Sequence, residues 1–380
     1  MTRKIIAVLI GLFGLALVGA LIYFGWSFIR AGTFFGGGEE RPAPPSAAAG
    51  PFTVVSLGPV FDYFQTQSGI IVLKENGEVL RAKDGTEEVL SPASSDVPFM
   101  ASISFDKQYL LVGFGTKDFP QFSIYDISKK TWLPLRIGEG TSPVADAVWA
   151  PQGLRVAFLE KSGDQWSLGT ISFAAPQTPK GATTTTPSPG ALVNPVIRRL
   201  ATLAILDARL TWVIPEKIYL TSIPSAFSRG FLMEYDLQKN VARLLFSDEL
   251  GLSLRFRGDG ALGVKFSLRG QTPSLVSVDG SAKTLRALPF ITLPEKCAIS
   301  ETILYCAVPA LPVGAQLPDD YHQKAFAVRD ALVMMSLSDG TVVTLADQNV
   351  AELDATHLTV TNDDLFFINE HDKKLYSIAR

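Results

Sequence analysis

Two cysteines, three histidines and one acidic-aromatic cluster are the residues of this chain best suited to chemistry. Cys297 and Cys306 flank a tight hairpin centred on Glu301-Thr302, so one register sets them opposite each other. Cross-strand neighbours meet the Cα separation of about 4.4–6.8 Å that a disulfide needs. Outside the cytoplasm such a pair oxidises; in a reducing compartment it packs as two small hydrophobes. No His or further Cys lies near them in sequence, which argues against zinc. Asp319, Asp320, Tyr321 and His322 stand together in the polar stretch 309–331 and bring carboxylates, a ring and an imidazole to one loop. A long loop with this chemistry is a candidate binding site. The alternative is that Tyr321 and Phe326 fold the loop back onto its own sheet. His357 and His371 stand apart from this cluster, and no H-E-x-x-H, G-x-S-x-G or EF-hand pattern occurs. No catalytic residue, metal ligand or cofactor is expected. Arg257-Gly258-Asp259 spells an integrin-type tripeptide, but it occupies the same turn position as Pro151-Gln152-Gly153, where Gly and Asp serve turn geometry.

These residues sit inside a repeat. ISFDKQYLLVGF at 103–114, VWAPQGLRVAFLE at 148–160 and LRFRGDGALGVKF at 254–266 each read as strand, turn and strand. Looser third and fourth strands follow each of them. Phe105, Trp149, Trp212, Phe256 and Ser300 mark successive turns at steps of 44, 63, 44 and 44 residues. The long step contains an insertion, APQTPKGATTTTPSPGALVNP at 174–195 with one flanking residue, whose removal restores the period. Recurrence at about 40–45 residues predicts an all-β fold, a β-propeller. Seven blades are expected, at 59–91, 97–136, 143–206, 207–247, 250–288, 296–346 and 349–380; six or eight remain open. The last unit is one strand short. FTVVSL at 52–57 belongs to no unit, and pairing it with LYSIA at 375–379 closes the ring. Phe119 and Arg229 fall in loops matching 309–331, so they extend the candidate partner-binding surface, while the Thr/Pro insertion is expected at the opposite end.

Tyr125-Asp126 and Tyr235-Asp236 end third strands 110 residues apart and resemble the Trp-Asp pair of WD-repeat propellers. WAPQG and FRGDG resemble the turns of TolB-type periplasmic propellers and of the propeller in dipeptidyl-peptidase-like proteins. The likeness covers 52–380. It implies the fold and leaves function open, because propellers host many activities. The pattern is also similar to bacterial propellers carrying one N-terminal membrane helix, in which the stretch LPEKC…ILYCAVP looks like a family feature.

Residues 5–29 carry no charge. As a helix they would extend about 37 Å, enough to cross a bilayer. The apolar run outlasts a cleavable signal, so domain 1–30 reads as a retained signal-anchor. Arg3 and Lys4 precede it and only Arg30 follows closely, which places the N-terminus in the cytoplasm and the propeller outside: a single-pass cell-membrane protein. Residues 31–51 are a Pro/Ala/Gly-rich linker. Beyond residue 30 there are 31 basic against 37 acidic residues and no basic run, so nucleic acid is not an expected partner. The function these features imply is a non-catalytic scaffold for a protein or peptide. The rival is an enzyme or carbohydrate-binding module with a site in the central channel.

Overall fold

Short apolar runs alternating with polar residues, broken by Gly, Pro or Asp, give antiparallel strands and almost no helix. The computed structural model describes residues 51–116, 119–135, 137, 143–163, 165–174, 192–205, 207–361 and 363–380. The apolar segment 5–29 and nearly all of the linker lie outside them. Among the described residues no helix is long and apolar enough to cross a membrane. Residues 51–380 form a unit of their own, apart from 1–50.

The first strand, β1 (Phe52–Ser56), precedes a run of meandering sheets. β2 (Val60–Thr66), β3 (Gly69–Lys74), β4 (Val79–Lys83) and β5 (Thr86–Ser91) make one sheet. β6 (Pro98–Ile103), β7 (Tyr109–Gly115), β8 (Pro120–Asp126) and β9 (Thr131–Pro134) make the next. β10 (Val144–Trp149), β11 (Arg155–Ser162), β12 (Gln165–Ala174) and β13 (Val193–Leu203) follow. Then come β14 (Ala208–Ile214), β15 (Lys217–Ser222), β16 (Arg229–Asp236), β17 (Val241–Phe256), β18 (Leu262–Arg269), β19 (Thr272–Asp279) and β20 (Thr284–Ala287) in one seven-stranded sheet. β21 (Cys297–Ser300), β22 (Ile303–Pro309), β23 (Asp330–Ser336) and β24 (Val342–Ala346) form another four-stranded sheet, with the helical turn α1 (Asp319–His322) between β22 and β23. The last sheet holds β25 (Ala355–Val360), β26 (Asp364–Asn369), β27 (Lys374–Ala379) and β1.

The sequence suggests a break between two units near 248. Instead β17 runs unbroken for 16 residues. Its first half pairs with β16 and its second half with β18. The change of partner occurs where Asp248 and Gly251 adopt positive φ of 64° and 66°. The chain bends there without ending the strand.

Packing explains the burial gradient. Second strands are buried on both faces, as in β7, because each sheet has a neighbour on either side. Fourth strands such as β5 and β20 are mostly exposed. Most hydrophobic clusters join consecutive sheets, and one, around Tyr219, Leu252 and Val276, lies within the seven-stranded sheet. Ile71 and Leu73 meet Leu110 and Phe114. Tyr109 and Phe122 meet Trp149 and Phe158. At the far end of the series, Phe366, Ile368 and Leu375 of the last sheet meet Val60, Tyr63 and Val72 of the first. β1 lies antiparallel to β27, with Phe52 opposite Ile378. The hairpin turns need left-handed residues at Gly153 and Gly260, with φ of 68° and 70°. A Cβ on Gly260 would also fall 2.3 Å from Ile214 Cγ1.

Candidate functional site

Strand order decides which loops share an end. Within each sheet the chain alternates direction, so the connections between second and third strands emerge at the same end as those between successive sheets. The stretch 310–329, the connection from Thr116 to Phe119 and the turn 223–228 are connections of the first kind. Phe119, Arg229 and the cluster Asp319–His322 therefore belong to one end of the fold, at loop tips or strand starts.

The cluster itself is mostly engaged within the molecule. The Asp319 carboxylate accepts from Ser225 Oγ at 3.0 Å and from the Ala226 amide, tying this loop to that of another unit. Asp320 accepts from the Gln316 amide at 2.7 Å. Tyr321 and Phe326 pack on the cluster of Leu293, Leu304 and Leu317. The Tyr321 hydroxyl accepts from Lys296 Nζ at 3.2 Å and donates to Asp354 Oδ1 at 3.0 Å. Burial, followed by the Asp354 charge, drives its pKa well above the ordinary phenol value. His322 Nε2 lies 2.9 Å from Glu295 Oε1. That hydrogen bond holds the imidazole above its usual range. Burial pushes Glu295 up, but His322 outweighs it and keeps the carboxyl low.

Beneath the loop sits a charged group the sequence reading missed. Lys296 has no exposed surface, and Nζ lies 2.8 Å from Asp330 Oδ2 and 2.6 Å from Asp354 Oδ1. It also stands over the Tyr321 ring, 4.6 Å from its centroid. Burial lifts the Asp330 carboxyl to about 6 against the pull of Lys296. A lone Lys between Glu295 and Cys297 carries no periodic signal. Only the fold brings Asp330 and Asp354 to it.

Next to Lys296, Cys297 and Cys306 are directly paired across β21 and β22 and joined by a disulfide, with Cα atoms 4.1 Å apart. Arg257 and Asp259 close on each other in a salt bridge within their turn, while Arg257 also donates to the Glu301 carbonyl. The tripeptide thus serves its own turn.

The unengaged surface at this end lies elsewhere. Phe119 is 80% exposed, Phe227 is 71% exposed and Val313 is fully exposed. Arg229 is exposed and meets Asp248, donating to its carbonyl at 3.4 Å and pairing with its carboxylate at 3.9 Å. Exposed rings at loop tips gain nothing for folding, since they leave apolar area in water.

The first strands bring a second set of charges together along the inner wall. Tyr63 donates to the His357 carbonyl at 2.6 Å, and Arg255 donates to the Leu358 carbonyl at 3.2 Å and the Glu295 carbonyl at 3.0 Å. Burial raises the Asp62 pKa, opposed by His357. Asp146 accepts from the Ala147 amide at 2.9 Å and from the Leu210 amide of the following unit at 2.7 Å. Burial lifts its carboxyl to about 6. Among the described residues no group of three metal-ligating side chains occurs.

No family model matches the chain, and no curated protein does. Solved structures do. The β-propeller domain of Cps50 (Swd1) from Myceliophteria thermophila is 11% identical at a TM-score of 0.50, covering 87% of this chain and 99% of that one. A chain of the mitotic checkpoint complex is 11% identical at 0.54, covering 90% and 95%. An oligogalacturonate lyase in complex with manganese is 14% identical at 0.53, covering 87% and 91%. At such identities the likeness speaks for the fold alone. The sheets of residues 51–380 form a β-propeller.

Proposed function

We propose that this chain is a membrane-anchored, extracytoplasmic scaffold: a seven-bladed propeller, closed by strand 52–56, that binds a protein or peptide without catalysis. Dividing β17 between two blades gives seven four-stranded units, and the packing of the last sheet against the first supports closure. The uncharged segment 5–29 and its Arg3/Lys4 flank support the anchor and its orientation.

One observation carries the binding reading: Phe119, Phe227 and Val313 stand exposed on the loop end, where the fold does not need them. Aromatic anchors of this kind dominate protein interfaces. One of the similar structures, a chain of the mitotic checkpoint complex, is itself part of a protein assembly. A photocrosslinking residue in place of Phe119 or Phe227, in native membranes, should give a discrete adduct. The same residue in place of Phe105, in a first hairpin at the other end, should give none. Adducts from Phe105 alone would place the partner on the wrong end and overturn the assignment.

A second reading has one observation in its favour. Asp62, Arg255 and His357 interact on the first strands, which line a propeller's channel, Asp146 lies on another first strand, and burial raises both carboxyls. Perturbed titratable groups in a concave site are the usual mark of a small-ligand pocket. A ligand there would protect Asp62 and His357 from chemical modification while leaving crosslinking at Phe119 unchanged.

A further inference from the structure

The outer margin between the units of β14–β17 and β18–β20 holds a cavity of about 290 Å³, lined by Arg243, Leu244, Leu245, Phe246, Ser281, Ala282 and Lys283. One wall is a stretch of strand and the other is the turn between β19 and β20. Three features of this wall coincide. First, residues 241–246 of β17 pair with β16 on one side, and among the described residues no strand pairs with the other side. Their outward backbone groups are therefore a template for another strand. Second, Val241 and Leu244 are exposed, at 54% and 51%. Third, the lining contains two cations and no carboxylate. Two acids stand beside it. Glu234 is shared, with Lys217 at 2.8 Å and Arg243 at only 3.6 Å; Asp279 accepts from the Ser281 and Lys283 amides, each at 2.9 Å. The Ser281 hydroxyl holds the Asp279 carboxyl below its usual range, and the Lys283 charge helps. Nearby, Arg198 bonds Asn240 Oδ1 at 3.0 Å, an uncharged partner. Arg198, Lys217, Arg243 and Lys283 thus stand against Glu234 and Asp279, which leaves this margin net positive.

We infer that Val241–Phe246 is a β-augmentation edge that takes an extended peptide with acidic and apolar residues in alternation. Main-chain hydrogen bonds along the edge would supply affinity, and alternate side chains would reach the groove. Arg243 and Lys283 flank the groove and select acidic over basic peptides. Leu244 and Phe246 give the intervening apolar side chains a surface. This surface is separate from the loop end, so its failure leaves the partner assignment there standing.

The test uses the full chain and a fluorescent peptide of about eight residues alternating Val and Glu. Binding is read by anisotropy, and amide exchange is followed in the complex. Amides in 241–246 should gain protection, and a Val/Lys peptide should bind at least about tenfold more weakly. Lys283→Glu should reduce that preference without touching the Glu234 pair, which guards against a folding defect in an Arg243 variant. A peptide N-methylated at alternate positions keeps its charge but loses its strand donors, and it should not bind. Equal binding of the acidic and basic peptides, binding of the N-methylated peptide, or protection that bypasses 241–246 would each overturn the inference.

Discussion

The hydroxyl of Tyr125 donates to the carbonyl of Leu90, 2.8 Å away and 35 residues earlier. The same bond recurs at Tyr235, which donates to Leu200 at 3.1 Å, again 35 residues earlier. In both cases a third strand reaches the fourth strand of the preceding sheet. The following residue, Asp126 or Asp236, caps the turn by accepting backbone amides two and three positions on. Each Tyr-Asp pair thus fastens a sheet to its neighbour and shapes the hairpin after it. Tyr125→Phe and Tyr235→Phe should each cost about 1 kcal/mol in urea unfolding. Sites this far apart should add in the double variant. No change in either would show that these bonds do not hold the sheets together.

The Tyr-Asp pairs were legible because they repeat, and so were the strands. Period-two alternation and Gly or Asp turns are local signals, and Cys297 and Cys306 could be set opposite each other by counting around a hairpin. The loop chemistry was not legible to that depth. Tyr321 reads as an amphipathic ring in a polar loop, the usual profile of a contact residue. Its partners Lys296 and Asp354 lie on other connections, and no local pattern reveals that they close over the ring. The continuity of β17 was hidden for a related reason. Residues 246–251, FSDELG, have turn composition, yet the backbone absorbs the bend through positive φ at Asp248 and Gly251.

The buried Lys296 should be the most sensitive polar position in the domain. Lys296→Met removes the cation and leaves Asp330 and Asp354 facing each other, uncompensated. Breaking such a pair from one side costs about 3–5 kcal/mol. Tyr321→Phe removes only a hydroxyl that bridges Lys296 and Asp354, and should cost about 1–2 kcal/mol. Asp330→Asn should fall between them, since Oδ2 also accepts from the Ala355 amide at 2.7 Å. Equilibrium unfolding ranks the three; a Lys296→Met variant as stable as the wild type would remove the case for a structural role.

Asp146 gives a pH dependence of definite sign. Burial raises its native carboxyl from 3.8 to about 6. Between those values the native state holds a proton that the unfolded state has lost, so this group's contribution to stability falls as pH rises from about 4 to 6. The full effect is on the order of 1–3 kcal/mol. Asp146→Asn removes the titration along with one acceptor for the Ala147 and Leu210 amides. The variant should be less stable than the wild type at pH 4, and the gap should narrow by pH 7. A gap that widens instead would mean the native carboxyl is not raised.

The proposed closure of the ring rests on the strand β1. It supplies the fourth strand of the last sheet, and Phe52 sits edge-on to Phe367 with centroids 5.6 Å apart. At its other end Ser56 accepts from Lys74 Nζ at 3.0 Å and donates to Glu87, which binds the strand to the first sheet as well. Deleting 52–56 strips both attachments at once and leaves β27 with a bare edge, open to pairing between molecules. Loss of the Phe52 ring alone would cost about 3 kcal/mol if it were fully packed; because Phe52 is half-buried, Phe52→Ala should cost less. The deletion should lower the unfolding midpoint further than that point variant and produce concentration-dependent aggregates in light scattering. Deleting 37–48, a Gly/Pro-rich stretch of the linker, should do neither. If the two deletions are tolerated alike, closure does not depend on β1, and the packing of Phe366, Ile368 and Leu375 against Val60 and Tyr63 must be enough to hold the ring.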